Sequence, residues 1–248
     1  MFQPSSFAGF NRDTFHLFRD LAEPEKNNRL WFDANRWRYE ENVVGRFKAL
    51  LQALKPWVRK LNPQFDCTGK TNGNFSRINR DIRFSKDKSP YKLNYYLYFF
   101  DQRRARDSDG RLYVGASGEG LTVGFSIYGE WRRKTGDVLE TVLKKRLSKD
   151  GTLLRDYLGR RSMGRRYEGY WYSMKQKEWT QHRGLPKDSE DWDRLLAWVV
   201  RRRIKLRPAC SESVLEEIQG IFKELYPLYV FSASSERDWR HTFKKFAK

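Results

Sequence analysis

The eight residues from Leu93 to Phe100 restrict the fold more than any other stretch, because their side chains alternate with the period of a strand. Leu93, Tyr95, Leu97 and Phe99 fall on one side and are expected to pack a core. Asn94, Tyr96, Tyr98 and Phe100 fall on the other, a mix of amide, phenol and ring that suits a partly wet covering layer or a ligand floor. Upstream the period is helical: Phe32, Tyr39, Val43, Phe47, Leu50 and Leu54 recur mostly three or four residues apart and predict one buried stripe. Pro56 is expected to break or kink that helix. A shorter helix carrying Phe15, Phe18 and Ala22 is capped by Asn11 and ended by Pro24.

Downstream, Arg111 to Ser117 and Leu121 to Tyr128 read as two further strands joined at Gly118-Glu119-Gly120. The glycines from Gly115 to Gly120 thus belong to a hairpin. A phosphate-cradling loop would have to open a helix whose N-terminal amides face the anion. Val138, Leu139, Val142, Leu143 and Leu147 predict one helix, and Trp192, Leu195, Leu196 and Val199 another. Arg202 to Arg207 reads as an additional strand, and Ser213 with Glu216 as a capping box opening a helix that Pro227 stops. No shift of composition marks a boundary. The expectation is an α+β fold, a mainly antiparallel sheet covered by helices from both ends of the chain, in a single domain over residues 1–232. Residues 233–248 form a basic tail polar enough to fray.

Lys and Arg exceed Asp and Glu far enough to give a net charge of +19, a field that accelerates encounter with polyanions. No stretch approaches the roughly 18 apolar residues of a membrane helix. The first ten residues lack the basic and apolar regions of a secretory signal, so a cytoplasmic protein is expected. Cys67 and Cys210 are too few for a disulfide framework and read as free thiols. His16, His182 and His241 are isolated in sequence, so no structural zinc is expected, and no motif identifies a cofactor.

Chemistry is densest between Arg77 and Lys92, where six cations accompany two carboxylates. Arg77, Asn79, Arg80, Arg83, Lys86, Lys88, Tyr91 and Lys92 have the parts of an oxyanion clamp, since guanidinium forks grip oxyanions and lysines add point charge. The same composition also suits a loop in which Arg and Asp satisfy each other. Asp81 is the candidate catalytic base, with Asp87 and Glu119 the other carboxylates considered. Further basic clusters are Arg160-Arg161, Arg165-Arg166 and the run with Arg201, Arg202, Arg203 and Lys205, several close to Tyr167, Tyr170, Trp171 and Tyr172. Single-stranded nucleic acid requires that combination, cations along the phosphates and rings under the bases, and a solvated charged face beside core aromatics gives the same pattern.

The run Arg77-Ile-Asn-Arg-Asp-Ile-Arg-Phe-Ser-Lys-Asp-Lys-Ser-Pro-Tyr-Lys92 resembles the signature of DUF2461, a family of bacterial and fungal proteins of unknown function. Phe7-Ala-Gly-Phe10, the Asn27 to Phe32 element and Tyr39-Glu40 are similar to the N-terminal half of that family, and the resemblance extends to about Ser232. It implies no activity, substrate or catalytic residue. From the residues themselves, the expected function is binding a phosphate-rich partner, with RNA or a ribonucleoprotein ahead of DNA. Two alternatives stand beside it. One is an enzyme on a phosphorylated or nucleotide substrate, with Arg77, Arg80 and Arg83 as clamp and Asp81 as base; the other is a non-catalytic subunit docked on an assembly by its basic face.

Overall fold

The computed structural model describes residues 7–107, 109–128, 142–173, 178–182, 195–234 and 237–247. Helices α1 (Arg12–Ala22), α2 (Arg29–Ala34), α3 (Arg36–Arg38) and α4 (Arg46–Leu61) precede strands β1 (Asn94–Phe99), β2 (Arg111–Ser117) and β3 (Gly120–Tyr128). Then come α5 (Val142–Arg160), α6 (Met163–Arg166), β4 (Glu168–Ser173), β5 (Glu178–His182) and β6 (Leu195–Ile204). The short α7 (Leu206–Ala209), α8 (Val214–Ser232) and α9 (Trp239–Phe246) follow among the described residues. The strands form one antiparallel sheet, β1-β2-β3-β6-β4-β5, so the α+β class predicted from the hydrophobic pattern is the class observed. By contact density the chain divides into two compact units. The first comprises Met1–Phe99, Val114–Thr122 and Arg203–Gln219; the second comprises Phe100–Tyr113, Val123–Arg202 and Gly220–Lys248.

In the first unit Asn11 caps α1 as its residue type predicts, its side chain accepting from the Thr14 amide at 2.9 Å. A π-helical turn, Tyr39–Gly45, leads into α4 and brings Asn42 to Asp13, to which it donates at 2.9 Å. Arg38 grips Asp13 and Asp20 from the same side. The predicted stripe is the core. Phe10 meets Phe47 at 5.1 Å between centroids, Phe47 meets Tyr95 of β1 at 5.1 Å, and Tyr95, Leu97 and Phe99 are buried. Leu93, assigned to that face, is instead exposed, because β1 begins one residue later. The outer edge of β1 is covered by residues 74–76: Ser76 N–H donates to Tyr96, Tyr98 N–H donates to Asn74, and Phe75 bridges Leu97. The predicted hairpin is present, with Gly120 at φ +130°, a value that favours glycine.

In the second unit α5, α8 and α9 build a separate aromatic core, where Phe231 meets Trp239 at 5.0 Å and Tyr157 meets Phe243 at 5.8 Å. The Tyr157 hydroxyl donates to the Glu224 carbonyl, and Arg146 donates to the carbonyls of Val230 and Phe231. Residues expected to fray therefore include a helix, α9, anchored by buried Trp239 and Phe243.

Two local expectations fail for identifiable reasons, and Pro56, expected to break or kink its helix, does not break it. Neither proline ends its helix. Pro56 lies inside α4 on an exposed position, and Gln52, whose carbonyl loses its amide partner, is exposed as well. Pro227 lies inside α8, where the buried run Leu228 to Phe231 carries the helix onward. The helix predicted over Trp192 to Val199 is replaced by β6, which also takes Arg202 to Ile204, while Leu206 and Arg207 open α7. Ala197, Trp198, Val199 and Val200 are all buried, so this strand lacks the alternation that would have revealed it. Trp192, Val138 and Leu139 lie outside the described residues.

Candidate functional site

The charged run folds as a closed loop of the first unit. Asn79 and Tyr91 form an antiparallel bridge, Arg80 N–H donates to the Pro90 carbonyl at 2.8 Å, and Lys92 N–H donates to Ile78 at 2.8 Å. Buried Asn27 locks the closure. Its side-chain oxygen accepts from Tyr91 N–H at 3.0 Å, while its amide donates to the carbonyls of Tyr91 and Leu21 at 3.1 and 2.8 Å. The Tyr91 ring stacks on Phe32 at 4.0 Å.

Within the loop the carboxylates take the nearest arginines. Arg83 grips Asp81 through Nε and Nη2 at 2.9 and 2.7 Å, and Arg80 donates to Asp87 and to the Ser89 carbonyl. The Arg83 guanidinium holds Asp81 at a pKa of about 2, and the Ser89 amide, with Arg80 behind it, does the same for Asp87. A carboxylate held that low is a weak base at neutral pH. Glu119, the third carboxylate considered, pairs with Arg203 on the same unit.

Arg80, Asp87, Tyr91 and Lys92 line one cleft of about 400 Å³ together with Asn27, Ser89, Asn94 and the apolar Leu21, Pro24 and Leu93. Arg77, Asn79, Arg83, Lys86 and Lys88 do not line it. Arg77, Arg83, Lys86 and Lys88 are exposed around the loop, and Lys88 donates to the Ile82 carbonyl at 3.1 Å.

A second constellation lies on the sheet face of the second unit. Strand alternation puts Glu168, Tyr170 and Tyr172 of β4 on the face that carries Arg201 of β6 and Trp179 of β5. Arg201 lies over the Tyr170 ring, 4.4 Å from its centroid, and donates to Glu168 at 3.0 Å. Trp179, directly opposite Tyr172 in register, meets it edge to face at 5.6 Å and meets Tyr128 of β3 at 6.0 Å. Arg111 lies over Tyr128 at 5.0 Å and pairs with Asp107. Gly124 makes this layer possible: a Cβ there would stand 2.6 Å from the Val200 carbonyl oxygen and 2.9 Å from both Tyr113 and Arg201. The result is a row of rings and arginines ending on the edge strand β5 at Trp179, which is 45% exposed, while Tyr128 at the end of β3 is 37% exposed.

The basic cluster is thus divided between faces. Arg201 joins the rings, Arg202 alternates to the opposite side near Tyr167, and Arg203 and Lys205 belong to the other unit. Tyr128 and Trp179 were not singled out from the sequence. The available signal was parity: once Tyr170 and Tyr172 are read as alternate residues of a strand, aromatic residues on its neighbours become candidates.

Among the described residues no group of three His, Cys, Asp or Glu side chains is placed to hold a metal ion, and no helix is long and apolar enough to cross a membrane. Cys67 and Cys210 are free. Comparison with curated proteins finds no match. The family model described as conserved hypothetical protein (DUF2461) matches residues 13–231, which include the whole charged loop and the ring-bearing sheet face. The chain belongs to the DUF2461 family.

Proposed function

We propose that the protein binds single-stranded RNA through the ring-bearing sheet face of its second unit. The observation that carries this reading is the row Tyr170, Tyr172, Trp179 and Tyr128, flanked by Arg201 and Arg111 and opening at the edge strand. Rings supply sequence-tolerant stacking for unpaired bases, and arginine adds cation–π contact and phosphate contact. A duplex keeps its base faces stacked inside and offers nothing to such a row. Arg111 and Arg201 already have acidic partners, so the face itself is close to neutral; the overall charge of +19 supplies the long-range attraction.

The test is titration of a 12-nucleotide RNA with the wild type, Trp179→Ala and Tyr172→Ala, followed by fluorescence anisotropy. Each lost stack is worth about 1–3 kcal/mol, so each variant should bind roughly 5- to 150-fold more weakly. Undetectable RNA binding by folded wild-type protein at about 50 mM salt removes the proposal. Equal affinity in both variants would move any RNA site off this face.

A further inference from the structure

We infer that the cleft beside the charged loop, in the first unit, is a binding site for a small organic phosphate with an apolar body. The site is separate from the sheet face and does not depend on the RNA reading. Its volume, about 400 Å³, lies within the range of small-molecule sites, roughly 300–1,000 Å³, and is too small for a folded macromolecular partner. The lining has two chemistries. Leu21, Ala22, Pro24 and Leu93 give apolar wall, and Leu93 is a large hydrophobic residue 44% exposed on a position that strand alternation would have buried. Arg80 and Lys92 give positive charge against the single carboxylate of Asp87, leaving one net cation in the lining.

Arg80 is built for the anion. Its Nη1 donates to Asp87 and to the Ser89 carbonyl, and its Nη2 donates to Ser85 Oγ at 3.4 Å. That engages three of the five guanidinium hydrogens and leaves two, Nε–H and one on Nη2, to donate to a ligand. Asp87 and the Ser89 carbonyl hold the guanidinium in place through Nη1, so a phosphate can be bound with little reorganisation. Buried Asn27 ties the Tyr91 strand of the loop mouth to the end of α1 and fixes that wall.

Three probes separate the components: inorganic phosphate, hexyl phosphate and hexanol, titrated into the full chain by calorimetry and thermal melting. Hexyl phosphate should bind at least tenfold more tightly than inorganic phosphate, since each pair of methylenes seated on the apolar wall adds about tenfold. Hexanol should show no binding at matched concentration. At a hundred times its dissociation constant, hexyl phosphate should raise the melting temperature by about 5–10 °C. Lys92→Gln should weaken hexyl phosphate and inorganic phosphate in parallel, whereas Leu93→Ser should weaken hexyl phosphate alone. Arg80→Lys, which keeps a cation beside Asp87 but removes the fork, covers the case in which a neutral substitution unfolds the loop; it should weaken both phosphates about tenfold or more. The inference is overturned if hexyl and inorganic phosphate bind equally, if neither binds at millimolar concentration, or if all three variants match the wild type.

Discussion

Replacing Gly124 by Ala tests the layer on which the sheet face is built. The added Cβ would stand 2.6 Å from the Val200 carbonyl oxygen, 2.9 Å from the Arg201 Cβ and 2.9 Å from a ring carbon of Tyr113. The tightest contact is backbone of a strand in the same unit, which cannot rotate aside as a side-chain tip could. Overpacking of a well-filled site costs about 1–3 kcal/mol, and backbone contact on one side with a ring on the other places this substitution near about 3 kcal/mol. For a chain of this size that corresponds to a loss of about 6–12 °C in melting temperature. Gly159→Ala is the matched control. Gly159 lies in the last turn of α5 with nothing within 4 Å of a built Cβ, so the change should stabilise by about 0.4–1 kcal/mol through the unfolded chain. Thermal and urea melts of both variants supply the comparison. A Gly124→Ala protein that melts within about 1 °C of wild type would refute the packing described for β3, Tyr113 and Arg201.

Asn27→Ala leaves the Leu21 and Tyr91 carbonyls and the Tyr91 amide without their buried partner, and should cost about 3 kcal/mol in a urea melt; a loss below about 1 kcal/mol would mean that water replaces the side chain. Asp81→Asn should shift the melting temperature by no more than about 2 °C, because its pair with Arg83 is exposed, and should leave RNA affinity unchanged. Asp81 and Asp87 have folded pKa values of about 2, below the ordinary carboxylate value near 4. Their contribution to stability is therefore present above about pH 4 and lost as pH falls through about 2. Carboxyl NMR titration should find midpoints near 2 for both, and midpoints near 4 would show that the loop's ion pairs do not persist in solution. Arg201→Ala should weaken RNA binding several-fold in anisotropy while Arg202→Ala, on the opposite face of β6, changes it less than about twofold. Equal effects would contradict the assignment of faces.

The parts of the fold legible from their period are those where one side of an element is core and the other is wet: β1, the capped α1 and the stripe through Phe47, Leu50 and Leu54. The β2–β3 hairpin is buried along nearly its whole length, and the Gly118-Glu119-Gly120 turn between two short apolar runs made it legible instead. β6 was illegible for the opposite reason: with Ala197 to Val200 buried on both faces, a short apolar run fits strand and helix equally. Pro56 and Pro227 mislead because the rule that proline ends a helix weighs local hydrogen bonding alone, whereas buried side chains beyond each proline carry the helix on. The charged loop was visible as a concentration of charge, but composition could not assign partners. That Arg80 pairs with Asp87 while Arg83 pairs with Asp81 is a property of the folded loop, which Asn27 helps close from 53 residues upstream of Arg80. Trp179 stood among Lys, Gln and Glu with no periodic context, and only pairing with Tyr172 reveals its place.

Ultraviolet crosslinking of the full chain to a short uridine-rich RNA, with mass-spectrometric mapping of the modified residues, tests the central claim most directly. Rings that stack on bases are positioned to couple to them, so the account predicts crosslinks on Trp179, with Tyr172 and Tyr128 as the next positions, and their loss when excess single-stranded RNA competes. Crosslinks confined to residues outside β3, β4 and β5, or none from a folded protein at about 50 mM salt, would contradict it.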